Sequence, residues 1–464
     1  MKFNKNEFGW KEKVSVNTNE LPDDVSIKNS LTVGTRIGDI GEYSVSEGDG
    51  NTASGVSSHA EGYGATASGD SSHAEGGSTT ASSNYSHAEG GDTKASGKYS
   101  HAEGNWTIAS GFISHAEGHT TTALGDSSHA EGSSSNSASN EIIDLSSSTS
   151  DDDILTAWNS NKFSLAKGKN SHVEGMDNLA LGESSHAEGK STTASSYVSH
   201  AEGTDTTSTG YASHAEGEHT TASGAISHAE GSYTEASGEV SHAEGSNTEA
   251  SGDFSHAEGN YTIASGYISH TEGISSTASG NYSHAEGRST TASGECSHVE
   301  GDFTTASGTN SHAEGSYTTA SNYNSHAEGY NTTASGHTSH AEGNNTTASG
   351  IASHAEGLTT IASSENQHVQ GKYNIEDTEN TYAHIVGNGT ADNARSNAHT
   401  LDWNGNAWYK GKLSQDGIPT EDKDLTTKQY VDDAIANQPQ ISFNESGELV
   451  VTINGVTKTF VPKQ

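Results

Sequence analysis

Along most of the chain, apolar and polar positions recur with a period of 14 residues and not with the 3.6-residue period of a helix. The unit reads S-H-A-E-G-x-x-T-x-A-S-G-x-x, from Ser58 onward. Its segments S-H-A-E and T-x-A-S are each too short for a helix and are bounded by glycine. That pattern predicts two short strands per unit, joined by turns, with φ > 0 at both glycine positions. Side chains alternate along a strand, so His and Glu share one face while Ser and Ala share the other. Ala and Ser are small enough to fill the inside of a narrow two-stranded coil. The position two before each histidine is expected on the His face as well. It is often apolar, as at Tyr85, Ile113, Val240 and Phe254, which points to a face partly buried between chains.

The register is long. Histidines stand at 59, 73, 87, 101, 115 and 129, resume at 172, and continue every 14 residues to His368, 21 in all. Nearly all are followed two residues later by glutamate, from Glu61 to Glu356, with Gln370 in the last place. V-S-E-G at 45–48 and L-T-V-G at 31–34 extend the register upstream, so the roll is expected to begin near Ser30. Coils spaced like neighbouring strands advance about 4.8 Å each, and roughly 22 of them make a rod on the order of 100 Å long. A single coil of this kind buries little apolar area, and a closed symmetric homotrimer supplies the missing burial.

Composition alone reads differently. Only 29% of residues are hydrophobic and the formal net charge is -40, a combination usual in disordered chains. Strict repetition overrides that reading, because stacked repeats need only a thin shared core. The charge argues against nucleic acid or anionic membrane as a partner. With one cysteine, Cys296, there is no intrachain disulfide framework. No apolar run is long enough for a transmembrane helix, and residues 1–20 show no apolar core of a secretory signal.

The remaining segments break the period. His129 stands 37 residues before its partner Ala166, where 8 is usual, so 29 residues are inserted within one coil, at about 135–163. There, 150–155 reads as a helix N-cap with an acidic first turn, and Ile154, Leu155 and Trp158 are placed to pack it on the roll. It is either a tolerated surface loop or a lateral receptor-contact element. The domain reading is an attachment segment at 1–29, the roll at 30–372, a cap or neck at 373–412, a linker with a short trimeric helix at 413–440, and a small β-module at 441–464. Trp403 and Trp408 with Asn404 and Gly405 suggest a capping hairpin. Asn454 and Gly455 mark a second hairpin turn.

S-H-A-E-G with T-x-A-S-G resembles the head repeat of trimeric autotransporter adhesins, the YadA-like heads, whose unit has the form N-S-V-A-I-G. S-L-T-V-G at 30–34 is nearest that apolar form. The His/Glu version looks more like bacteriophage and prophage fibres. So do Y-A-H-I-V-G at 382–387 and S-N-A-H-T-L-D-W-N-G-N-A-W at 396–408. The resemblance covers 30–412 and implies an all-β fold, a trimeric left-handed parallel β-roll, with the short helix and β-module following it. Autotransporters carry a signal peptide and a membrane anchor. Neither is expected here, which favours a virion part assembled in the host cytoplasm.

The candidate chemistry is structural. His and Glu are both metal ligands, but uniform copies along a rod point to pairing along an inter-chain ladder: His59 with Glu61, His73 with Glu75, His228 with Glu230, His242 with Glu244, His256 with Glu258. No catalytic residue, metal or cofactor is assigned, and no G-x-S-x-G, H-E-x-x-H or P-loop occurs. The variable position five after His carries Trp106, Tyr233, Tyr261, Phe303 and Tyr317. With Trp158 these are candidate contacts to a host-surface glycan or protein. The expected function is a virion fibre (tail fibre, neck appendage or capsid fibre) that joins capsid or tail proteins through its N-terminus and adheres to the host. A bacterial surface adhesin is the alternative, and a glycan depolymerase the second alternative.

Overall fold

The computed structural model describes residues 30–36, 38–135, 154, 162–411, 431, 435, 438–453 and 455–461. The expected attachment segment 1–29, Leu155, Trp158, the N-cap at 150–153 and nearly all of the expected helix near 422–437 lie outside the described residues.

Each coil holds a long strand such as His59–Tyr63 and a short one such as Thr66–Ala67. Every long strand pairs in parallel with that of the next coil, residue for residue: His59 with His73, Ala60 with Ala74, Glu61 with Glu75. The short strands do the same, Thr66 with Thr80 and Ala67 with Ala81. The result is a roll with two parallel faces. Its register begins where the sequence places it, with Leu31 opposite Val45 and Val45 opposite His59. It runs one strand past residue 372, where His384 pairs with His368 in parallel.

The inside of the roll is lined by small residues for a geometric reason. Ala60, Ala67 and their equivalents are fully buried, facing one another across a narrow space that admits an occasional valine or threonine, as at Val173, Val299 and Thr271. The serine before nearly every ladder histidine is also buried, and in most coils its hydroxyl donates to a carbonyl three residues back, as Ser58 Oγ to Gly55 O at 2.8 Å, while Ser255 and Ser269 do not. This satisfies a polar group that burial would otherwise penalise. The threonine between the strands is buried too. Some of its hydroxyls reach the glutamate carbonyl four residues back, as Thr262 to Glu258 O at 3.1 Å, while others, such as Thr79 and Thr93, have no partner.

The turns differ from the sequence reading. Gly62 has φ 110°, as expected, and a Cβ there would meet Gly76 O at 2.2 Å. Gly69 does not have positive φ. It is glycine because a Cβ would stand 1.9 Å from Ser83 O in the next coil. The other left-handed positions fall two before every ladder histidine and five after nearly all of them, mostly on non-glycine residues, with Gly64 (φ 70°) an exception. Ile113 (φ 55°), Val240 (φ 56°) and Phe254 (φ 58°) therefore do not lie on the His face. The strand starts only at His, and the left-handed residue before it turns its side chain out at a corner of the coil, where Tyr85, Ile113, Val240 and Phe254 are all exposed. The turns stack as the strands do, Tyr85 N donating to Asp70 O at 2.9 Å.

At the insertion the coil closes across the gap, with Thr121 opposite Ser164 and Ala123 opposite Ala166. Leu165 and Leu179 replace the usual threonine on the outer side of the short strands. They form a buried cluster with Phe163, Leu181 and the insertion's Ile154. After the roll, Tyr382–Asn388, Asn397–Asp402 and Ala407–Tyr409 form an antiparallel meander. Trp403 Nε1 donates to Asn380 O at 3.1 Å. Gln440–Phe443, Leu449–Ile453 and Val456–Phe460 form a separate three-stranded antiparallel sheet.

Candidate functional site: the histidine and glutamate face

Because the coils are in register, chemistry present once per repeat becomes a continuous column. Imidazole rings of successive coils stack, His59 on His73 at 4.7 Å between centroids and 2° between planes. The stack runs without a break to His354 on His368 at 4.8 Å. Glutamates form a parallel column beside it. His59 Nε2 lies 3.5 Å from Glu61, and His87 Nε2 3.5 Å from Glu89. Further along, glutamates also reach the following coil: His228 Nε2 is 3.3 Å from Glu216 and 3.9 Å from Glu230, and His242 Nε2 is 3.9 Å from Glu230. His256 stands 3.9 Å from both Glu244 and Glu258. All ten ladder residues read from the sequence thus lie on this face. The expected pairs His73 with Glu75 and His242 with Glu244 are not within this range: His242 turns to Glu230 of the preceding coil, and His73 Nε2 is buried without a hydrogen-bond partner.

This environment sets the charges. Burial, then the neighbouring imidazoles, holds His87 and His242 below the usual histidine range, and His200 is pushed down to about 4 by the same causes. Stacked rings cannot all carry a proton without repelling one another. The carboxylates crowd likewise. Hydrogen bonds to Glu244 and Glu216 push Glu230 up to about 7, and bonds to Glu244 and Glu272 push Glu258 up to about 7. The hydrogen bond from Glu230 in turn holds Glu244 below the usual carboxylate range. Raised and lowered glutamates therefore alternate in this stretch, with Glu230 and Glu258 holding a proton more tightly than Glu216, Glu244 and Glu272. A shallow open trough follows the carboxylates from Glu202 to Gly259.

The candidate receptor residues stand at a corner of the coil in left-handed turns. Phe303 and Tyr317 stack at 5.2 Å, and the Arg288 guanidinium lies 5.3 Å above Phe303. Tyr233 stacks on His219 at 4.7 Å, and Trp106 tilts against His119 at 5.9 Å. Tyr261 is exposed. Trp158 lies outside the described residues. Sequence reasoning missed a second exposed column, three before histidine. Tyr197 and Tyr211 stack there at 5.7 Å, and Tyr267 meets Phe254 edge-on at 5.8 Å. The signal was present as aromatics in a fixed repeat position, one residue from the position that was counted.

The family model of the YadA head domain repeat matches residues 116–135, 201–234, 300–321 and 327–353. No curated protein matches the chain. Within those segments the chain matches the YadA head domain repeat, and its stacked parallel coils are consistent with such a repeat.

Proposed function

We propose that the chain is a non-catalytic structural fibre of a bacteriophage virion, a parallel homotrimer that projects a surface for adhesion to the host or its surroundings. One observation carries the assembly part. A column of imidazoles and carboxylates runs the length of the roll, each side chain still about a third exposed. A facing copy of the same chain would cover this continuous polar face and meet it with the same groups at equal height. The His/Glu form of the repeat supports a virion part, with residues 1–29 joining capsid or tail proteins. Mass spectrometry of purified particles tests this: the protein is expected among the virion components, and its presence only in cell-envelope fractions would contradict the reading. The match to YadA head repeats favours a second reading, a bacterial surface adhesin, which that envelope result would support. The absence of catalysis is tested separately. Incubation with host capsular glycan is expected to leave its chain length unchanged.

A further inference from the structure

We propose that His228, Glu216 and Glu230 form a binding site for a divalent transition-metal cation such as zinc or cobalt. His228 Nε2 stands 3.3 Å from Glu216 Oε1 and 3.9 Å from Glu230 Oε2. Donors held at about 2.0–2.2 Å by one tetrahedral or octahedral ion stand roughly 3.0–3.5 Å apart. His228 Nε2 and Glu216 Oε1 are therefore already at the spacing an ion would impose, and Glu230 Oε2 stands just outside it.

The rest of the ladder shows why the site is local. In the first coils a histidine pairs only with its own glutamate, as His59 with Glu61 and His115 with Glu117. Groups there, such as His59, Glu61 and His73, keep their donor atoms within 4.8 Å of one another. Two of the three donors in such a group are stacked rings, whose lone pairs point in parallel and do not converge. Around His228 the glutamate of the preceding coil reaches forward, so one imidazole lies between two carboxylates. His256 repeats this more loosely, at 3.9 Å from each of Glu244 and Glu258.

His228 Nε2 is the ring nitrogen that faces both carboxylates. With the ring proton on Nδ1, Nε2 offers a lone pair to a cation. One imidazole with two carboxylates suits zinc, cobalt or manganese, whereas calcium and magnesium favour all-oxygen sites. The open trough over Glu216 and Glu230 leaves an entry path and room for further ligands. The inference rests on geometry within one chain, and in the assembly proposed above the ion would lie where the columns of neighbouring copies meet.

The test uses the full chain, stripped with EDTA and titrated with cobalt and zinc. Cobalt is followed by its visible absorption and zinc by calorimetry. Saturable binding of at least one ion per chain is expected. Glu216→Gln with Glu230→Gln, which keeps the side-chain shapes, is expected to weaken it at least tenfold while the chain stays folded in EDTA, as circular dichroism would show. Glu61→Gln with Glu75→Gln, at the start of the ladder, is expected to leave it within about twofold. His228→Gln gives the same loss at one position should the double variant fail to fold. No saturable binding, equal loss in both double variants, or calcium bound as tightly as zinc would overturn the proposal.

Discussion

At the scale of single residues, the two columns on the His face oppose each other as pH changes. The histidines have folded values below the usual 6.5 because burial and stacking disfavour the charged ring. Their neutral form costs nothing above the ordinary value. Stability is lost as pH falls from there through the folded values, about 4 for His200. Glu230 and Glu258 are raised to about 7, so their contribution is complete below the ordinary carboxylate range and fades as pH rises through about 7. Histidines outnumber the raised glutamates, so acidification dominates. Melting temperature measured in EDTA is expected to peak near neutrality and to fall steadily below about pH 6. A rise between pH 7 and 5 would show that the histidines gain charge by pairing. The same face is probed by replacement. His228→Ala with His242→Ala is expected to lower the melting temperature of the assembly, and Tyr233→Ala with Asn247→Ala to leave it within a degree or so. Equal stability of the two variants would place the interface elsewhere. A third prediction concerns strain. Val240 is β-branched at φ 56°, a conformation that costs on the order of 1–3 kcal/mol. Asn tolerates it, so Val240→Asn is expected to raise the melting temperature. A fall would mean that the valine makes a contact with another copy that outweighs the strain.

At the scale of elements, the insertion changes most between sequence and structure. Read as a chain segment, it joins two strands already held by neighbouring coils and looks dispensable. Its Ile154, however, is fully buried against Phe163, Leu165 and Leu179. Deleting 135–163 uncovers the leucines, and an exposed apolar patch promotes aggregation. Deletion alone is expected to lower solubility. Deletion combined with Leu165→Thr and Leu179→Thr, the residue usual at that position, is expected to restore a soluble roll, as gel filtration would show. Aggregation of the combined variant would mean that the insertion is needed for folding itself. The coil pairing and the alanine core were legible because both follow from period and side-chain size alone. The outward turn of Ile113 and Phe254 was not, because strand alternation says nothing about where a strand begins. The role of Gly69 was hidden for a related reason: a glycine required by a close neighbouring carbonyl reads the same as one required by φ. The leucine patch under the insertion was written in the sequence as Leu165, Leu179 and Leu181, but only the folded register puts these residues on one side.

At the scale of the whole molecule, 24 long strands stacked in register make a rod on the order of 110 Å long. Its interior is almost wholly alanine, serine and threonine. A core this thin contributes little apolar burial per coil, while backbone pairing along two faces and the stacked imidazoles hold successive coils together. The aromatic corners remain exposed in a single chain, with Tyr211, Ile226 and Tyr282 each about half accessible. The proposed association of three such rods places the His and Glu columns against one another and turns a thin roll into a fibre. The most direct test is the native mass of the full chain by light scattering in EDTA at neutral pH. The account predicts three times the chain mass of 47.9 kDa, independent of dilution across the micromolar range. A stable species with the mass of one chain would contradict it.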